Sequence, residues 1–186
     1  MATNPRRRMT AEEFLAWVLE QPEGRRHELA AGEVVAMAPE RAAHNLAKGA
    51  AFAALREALR ASGLPCQAFA DGMAVRIDDE TVYEPDALVR CGERLDPDEV
   101  VVTDPLILVE VLSPGTHKLD TGAKLAGYFR LPSLRHYLIV DTSRRLVIHH
   151  GREADGAIST RIVAEGTILL EPPGIELAVA DIAADG

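Results

Sequence analysis

The chain has 186 residues, of which 47% are hydrophobic and 26% charged, and its formal net charge is −9. This length suits one well-buried domain spanning 1–186, and a second domain is not expected. No apolar stretch approaches the roughly 20 residues that a membrane-spanning helix needs. The acidic balance argues against broad electrostatic attraction to nucleic acid, because that attraction depends on Lys and Arg neutralising phosphates.

Two further features bear on where the protein works. Residues 1–9 carry three arginines but lack the apolar stretch that a secretory signal places after its basic residues. Cys66 and Cys91 have no metal-ligand spacing, so we expect buried thiols in a reducing compartment. The sequence therefore predicts a cytoplasmic protein without a membrane segment.

The first third of the chain predicts two helices and a hairpin. Thr10 and Glu13 have the spacing of a capping box ahead of an amphipathic stretch, which predicts a helix over 11–20. Strands over 27–29 and 33–37 flank a short connection that contains Gly32, as in a β-hairpin. Alanines and leucines at three- and four-residue steps predict the longest helix, over 40–61.

The remaining elements are mainly strands. We predict three strands in the middle of the chain. The first covers 66–77 and has a bulge or bend at Gly72, and the second runs from Pro85 to residue 89. The third covers 106–112 and is buried on both faces. A loop fills 95–103, and a helix over 119–131 is stopped by Pro132. Weaker signals complete the chain: a hairpin of 136–141 and 145–149, strands over 160–164 and 167–170, and a tail after Pro172-Pro173.

This order of elements predicts an α/β (α+β) fold in which a mixed β-sheet is flanked by helices. We expect the folded core to cover about residues 9–170, with flexible termini.

Glu110 is the most informative residue, because it interrupts a continuous apolar strand. An ionised carboxylate there costs several kcal/mol unless a cation or hydrogen-bond donors compensate it. The structural alternative is a buried glutamate paired with an arginine or with backbone amides. We favour a functional carboxylate.

Asp86 lies directly after Pro85 at the start of a predicted strand. Considered by itself, a Pro-Asp pair is usually a turn, but two carboxylates at adjacent strand ends supply the hard oxygen ligands that Mg²⁺ or Mn²⁺ prefers. Such ions take phosphate oxygens and lower the pKa of a bound water, which suits phosphoryl transfer.

Lys124 shares one face of its predicted helix with Asp120 and Tyr128, because the three are spaced by four. The simplest interpretation is an exposed Asp–Lys pair. The alternative is that this face looks onto the strand ends, where the ammonium could orient a water or contact a phosphate.

Four segments taken together resemble a known family: His27-Glu28-Leu29 with Gly32-Glu33-Val34, Glu84-Pro85-Asp86, Val109 to Pro114, and Asp120-x₃-Lys124-x₃-Tyr128. They are similar, in matching order over about residues 9–150, to the Uma-type family of restriction endonucleases in the PD-(D/E)XK nuclease superfamily. The resemblance implies a restriction-endonuclease-like fold.

The resemblance also implies roles for individual residues. Asp86 and Glu110 would be metal ligands, and Lys124 would be the superfamily lysine. The usual pattern places that lysine two residues after the second acid, where this chain has Leu112. Glu28 matches a further acid of the family and would join the catalytic residues as an additional metal ligand or as a group that supports the ligands. His44 matches a family histidine, although helix packing explains it equally well.

The expected activity is Mg²⁺- or Mn²⁺-dependent hydrolysis of phosphodiester bonds, with DNA as the expected substrate and a homodimer as a plausible assembly. In this mechanism Asp86 and Glu110 would hold one metal ion or two, Val111 would contribute its backbone carbonyl as a further ligand, and Lys124 would position the water. Two alternatives stay open. The chain could be a catalytically idle binding or regulatory module with a nuclease fold, which the acidic charge favours. The carboxylates could instead hydrolyse another bond as an acid and base pair.

Overall fold

A computed structural model describes residues 8–22, 25–112 and 119–183, together with the side chains of these residues except 119–121. The helices are α1 (Ala11–Leu19), α2 (Ala42–Ser62), α3 (Leu119–Tyr128) and α4 (Val179–Ile182). The first strands are β1 (His27–Ala30), β2 (Glu33–Ala36), β3 (Cys66–Ala70), β4 (Ala74–Asp78), β5 (Thr81–Tyr83), β6 (Ala87–Cys91) and β7 (Val101–Val102). The later strands are β8 (Ile107–Val111), β9 (His136–Asp141), β10 (Leu146–Arg152), β11 (Ile158–Val163), β12 (Thr167–Leu170) and β13 (Ile175–Ala178).

The predicted amino-terminal signals are confirmed. The Thr10 side chain accepts a hydrogen bond from the Glu13 amide and the Glu13 carboxylate accepts one from the Thr10 amide, which completes the capping box of α1. The β1–β2 hairpin turns through Ala31 and Gly32, both with positive φ, as a two-residue turn of the favoured hand requires.

The strands form two large mixed sheets and one small one, where the sequence predicts a single sheet. A six-stranded sheet has the order β11-β10-β9-β8-β6-β3, and its β8–β9 pair is parallel. A five-stranded sheet has the order β2-β1-β5-β4-β7, and β12 pairs with β13. The α+β fold class is confirmed, and β8 is central as its apolar sequence predicts.

Helix α2 covers one face of the six-stranded sheet. Its buried residues include Ala47, Ala51, Leu55 and Leu59, and they pack against alternate residues of β6 and β8, which are Ala87, Val89, Ile107, Val109 and Val111. The small alanine side chains bring the helix close to the strands. Gly63, in the left-handed conformation, ends the helix.

The other face of β8 packs against α3 and the five-stranded sheet. Leu108 lies there with Tyr128 and Leu131, together with Val75 and Tyr83 from the second sheet. Because side chains alternate across a strand, Glu110 shares this face with Leu108. A carboxylate therefore enters the junction between two sheets and a helix.

Three predictions need correction. The stretch 66–77 is two strands in different sheets, because Gly72, at φ +105°, allows the chain to turn between them. The segment after Pro173 is part of the core, since β13 and α4 bury Leu177 and Ile182 against the cluster under α2. The cysteines are a disulfide, not thiols, because Cys66 and Cys91 lie opposite each other on β3 and β6.

None of the helices in the described part of the chain has the length and apolar character needed to span a membrane.

Candidate active site

Glu110 lies on β8 with its side chain 14% exposed, and two groups of α3 donate hydrogen bonds to it. The Tyr128 hydroxyl donates to Glu110 Oε1 at 2.7 Å and the Lys124 ammonium donates to the same oxygen at 3.1 Å. The four-residue spacing of Lys124 and Tyr128 on one helical face therefore places both against the same carboxylate. The compensating cation is a lysine and not the arginine of the structural alternative.

Lys124 is buried, which contradicts the interpretation as an exposed Asp–Lys pair. Its ammonium also donates to Glu28 Oε1 at 2.9 Å, and it lies 5.5 Å from the centre of the Tyr83 ring. Glu28 is on β1 in the five-stranded sheet, and its Oε1 further accepts the Glu84 amide at 2.9 Å. Lys124 thus joins acids from both large sheets.

Asp86 immediately precedes β6, the strand that pairs with β8, and it is 5% exposed. Its Oδ2 accepts the Val111 amide at 2.6 Å, and its Oδ1 lies 2.8 Å from the Lys48 ammonium. Its own amide donates to the Val109 carbonyl at 3.0 Å, which fixes the backbone at the strand end. Asp86 therefore lies beside the two residues that flank Glu110.

Lys48 is a site residue that the sequence interpretation missed. It is 3% exposed on α2, and its ammonium contacts Asp86, Asp71 and Glu40. A signal was available, since Lys48 precedes the core residues Ala51 and Leu55 by three and seven positions and so lies on the buried face. Burial tends to lower the pKa of Lys48, but the three carboxylates raise it above the ordinary lysine value.

Arg26 belongs to the same network as Lys48. Its guanidinium pairs with Asp71 and, at 3.3 Å, with Glu40, both of which Lys48 also contacts, and with Glu84 at 2.9 Å. Asp71 thus connects Arg26 with the ammonium that contacts Asp86.

The electrostatics of Glu110 are those of a crowded acidic site. Burial, and then the negative charges of Asp86 and Glu28, raise its pKa to about 7, although the Lys124 ammonium and the Tyr128 hydroxyl act in the opposite direction. Burial and the Glu110 charge also raise the pKa of Tyr128, so its hydroxyl stays protonated as a donor. At Glu110, burial and the two neighbouring carboxylates therefore outweigh the stabilisation of its charge by Lys124 and Tyr128.

The structure brings together four of the predicted site residues: Glu28, Asp86, Glu110 and Lys124. Val111 adjoins them through its amide. The predicted roles of these residues, including the carbonyl ligand at Val111, stay predictions. The Asp120 side chain and residues 113–118, which include the end of the Val109–Pro114 motif, lie outside the described residues.

The cluster suits a hard divalent cation. Carboxylate oxygens are the donors that Mg²⁺ and Mn²⁺ prefer, and a divalent cation would stabilise the ionised Glu110 that its neighbours disfavour. A carboxylate has about four acceptor positions, so Asp86 keeps capacity beyond its contacts with Val111 and Lys48. A second donor group shares Asp86 with Glu40 and His44, whose ligand atoms all lie within 4.8 Å of one another.

Two proteins from Synechocystis are similar to this chain in sequence. The chain is 27% identical over 174 residues to "Uncharacterized protein slr1290" from Synechocystis. The aligned region covers 92% of this chain and 90% of that protein. It is 30% identical over 80 residues to "Uncharacterized protein sll1609" from the same organism, covering 42% of this chain and 45% of that protein.

A solved structure shares the fold. It is a crystal structure described as a "putative nuclease belonging to DUF820" from Anabaena variabilis, with a TM-score of 0.75 and 14% identity, and it matches 95% of this chain and 98% of that one. Residues 11–183 match the model of the Uma2 family, which is described as "Putative restriction endonuclease". The resemblance noted in the sequence is therefore confirmed: the chain belongs to the Uma2 family and has a nuclease-like fold.

Proposed function

We propose that this protein is a metal-dependent endonuclease that hydrolyses phosphodiester bonds, with DNA as its substrate. The family and the fold support a nuclease. The observation that carries the finer proposal is that Asp86 and Glu28 both lie close enough to Glu110 to raise its pKa, while the Lys124 ammonium lies between Glu28 and Glu110.

In this proposal Asp86 and Glu110 hold one Mg²⁺ or Mn²⁺ ion, and Val111 contributes its backbone carbonyl. The ion, when bound, supplies a Lewis acid for the scissile phosphate and a bound water of lowered pKa. The Val111 amide holds Asp86 Oδ2 in place, and the Tyr128 hydroxyl holds Glu110 Oε1. Both carboxylates are thereby oriented by groups on rigid elements, which favours precise binding of an ion.

Lys124 is the cationic residue of the proposed reaction. Its ammonium lies between Glu28 and Glu110, so it can contact a phosphate oxygen or orient the attacking water beside the ion. Glu28 positions Lys124 through the 2.9 Å contact and can serve as a further ligand.

Cleavage of supercoiled plasmid with Mg²⁺ or Mn²⁺ tests the proposal. Glu110→Gln removes the negative charge while keeping the shape of the side chain, so we expect cleavage to be abolished. Glu176→Gln, an exposed glutamate on β13, is the matched control and should cleave normally. Cleavage that persists in EDTA or in Glu110→Gln would exclude this mechanism.

One observation favours a second candidate, a nuclease fold that binds or regulates without turnover. The formal net charge of −9 disfavours the phosphate backbone of a nucleic acid. Calorimetric titration with Mn²⁺ separates the candidates, because an intact site gives heat that Asp86→Ala abolishes, whereas an idle scaffold gives none.

The proposed enzyme would cut both strands of DNA as a twofold homodimer. Light scattering coupled to size-exclusion chromatography measures the mass directly, against 20.1 kDa for one chain. A monomeric mass in the presence of metal and duplex would remove the dimer from the proposal.

A further inference from the structure

Lys48 is held more completely than a surface lysine. An ammonium has three N–H donors, and three carboxylates surround this one: Asp86 at 2.8 Å, Asp71 at 2.7 Å, and Glu40. The side chain is 4% exposed. Moving the ammonium away would leave a buried positive charge without its partners, which is strongly unfavourable.

Two of these carboxylates also belong to the second donor group of the site. Asp86 and Glu40 each offer an oxygen there, and His44, one helical turn before Lys48 on α2, offers a ring nitrogen. His44 Nδ1 is buried and has no hydrogen-bond partner among the described residues. Two acids and a histidine are a common ligand set for Mn²⁺ and other divalent ions.

Lys48 and a second cation would compete for the same oxygens. The ammonium contacts both Glu40 Oε1 and Asp86 Oδ1, so an ion bound by these two acids would lie within a few ångströms of a positive charge. Arg26 also contacts Glu40, at 3.3 Å, but it does not contact Asp86 and it keeps two other carboxylate partners if Glu40 binds an ion. Like charges within a few ångströms of each other in a buried site repel strongly. The fixed ammonium and the ion therefore exclude each other.

We propose that the Lys48 ammonium takes the place of a second metal ion, so that the native site works with one divalent cation. This inference rests on the proposed function for the first ion at Asp86 and Glu110. It adds the number of divalent ions that one chain binds. Lys48 is accordingly a positioning residue: it neutralises one side of Asp86 and leaves the other side for the catalytic ion.

The number of bound Mn²⁺ ions per chain tests this directly. Free Mn²⁺ has a six-line electron paramagnetic resonance signal that disappears on binding, so titration counts sites without measuring activity. We expect one ion for the native chain, two for Lys48→Met, and one again for Lys48→Met combined with His44→Ala. Two ions sharing Asp86 should also show a spin-coupled signal.

Matched controls separate this effect from general loss of charge or of structure. Arg60→Met removes a cation from the exposed face of the same helix and should leave one ion. His44→Ala alone should also leave one ion with unchanged affinity, because His44 is not a ligand while Lys48 is present. Circular dichroism checks folding, and Lys48→Gln replaces Lys48→Met if the latter does not fold.

The outcomes distinguish the inference from the proposed function. Two ions in the native chain, one of them lost in His44→Ala, would overturn the inference and leave the nuclease proposal intact. A single ion in a folded Lys48→Met would have the same meaning. No ion in the native chain but one in Lys48→Met, lost with His44→Ala, would support the replacement of an ion by Lys48 but contradict both the proposed metal site and the count of one ion in the native chain. No ion in either chain would overturn both.

Discussion

Lys124 contacts carboxylates from two different sheets, and this position explains both its burial and its proposed role. The ammonium donates to Glu28 on one side and to Glu110 on the other. Each acid loses its counter-charge if the lysine is removed, and the pKa of Glu110, already raised to about 7, would rise further. The residue therefore affects both charge and geometry.

We predict that Lys124→Met reduces cleavage by about 10²–10³-fold, the usual cost of removing one group that stabilises transition-state charge. The methionine keeps most of the packing of the lysine stem, so the protein should stay folded. Single-turnover cleavage rates at saturating Mg²⁺ measure the effect. Arg144→Met, which removes a cation with a 72% exposed side chain, is the control. Equal rates for Lys124→Met and the native chain would remove Lys124 from the mechanism.

At the scale of elements, a chain of hydrogen bonds links three strands and the segment before β13. The Pro172 carbonyl can only accept, so His136 Nε2 donates to it at 2.9 Å and His136 Nδ1 accepts from His149 Nε2, also at 2.9 Å. His149 Nδ1 then accepts from Arg161 at 3.2 Å. Each neutral histidine has a single tautomer in this arrangement.

This series of hydrogen bonds predicts that His149 makes the stability of the protein sensitive to acid. Burial, then the charges of His136 and Arg161, lower the pKa of His149 to about 4 from an ordinary value of 6.5. At this residue the unfolded state therefore binds more protons between pH 6.5 and pH 4, so the contribution of His149 to stability falls by about 3 kcal/mol as pH decreases through this window. Glu110 acts in the opposite direction, because its raised pKa makes its contribution to stability increase as pH falls from about 7. Urea unfolding of the native chain and of His149→Gln at pH 7, 5 and 4 isolates the His149 contribution: the stability of the native chain relative to His149→Gln should decrease as pH falls. The same pH dependence in both proteins would contradict the assignment.

The carboxy-terminal hairpin gives a second prediction about elements. Leu177 on β13 is 2% exposed in the core under α2, whereas Leu169 on β12 is 53% exposed. We predict that Leu177→Ala lowers the free energy of unfolding by about 2–5 kcal/mol and that Leu169→Ala changes it by less than about 0.5 kcal/mol. Equilibrium urea unfolding compares the two. Similar values for both would show that β13 is not part of the core.

Sequence periodicity predicted elements better than it predicted their partners. The apolar pattern of β8 and the capping signals of α1 are local, so both were predictable. The turn at Gly72 into a second sheet was not, because an alternating strand looks the same in either sheet. The alternation of the apolar Ile175 and Leu177 with Glu176 was a readable strand signal that the interpretation of the tail overlooked.

The site was partly predictable for the same reason. Glu110 stood out because a buried strand rarely contains an acid, and Lys124 and Tyr128 because their spacing places them on one face. The meeting of Glu28 with Lys124, 96 positions apart, depends on tertiary structure, and only the family resemblance indicated it. Lys48 was missed because a lysine among alanines looks exposed until the core positions around it are known.

At the scale of the whole molecule, the net charge of −9 determines how it can approach a polyanion. A metal-free site adds its carboxylates to an already acidic surface, whereas a bound divalent ion supplies positive charge at the point of contact. The charge of the protein and its proposed metal requirement are therefore connected.

We predict that Ca²⁺, which also takes oxygen ligands, tightens binding of duplex DNA about tenfold or more relative to EDTA. Fluorescence anisotropy of a labelled duplex at fixed ionic strength measures the dissociation constants. Glu110→Gln should weaken this ion dependence, and Glu176→Gln should retain it. Equally tight binding in EDTA would show that other surfaces bind the nucleic acid.

The acids and lysines of the site come from segments far apart in the chain, with Glu28 near its beginning and Lys124 two thirds of the way along. No shorter stretch contains the complete set, and α3 must pack on both sheets before the carboxylates meet their ammonium. A chain still emerging from the ribosome therefore lacks the assembled cluster until synthesis has passed α3. Whatever reaction the cluster performs is thus withheld from nascent and incompletely folded copies.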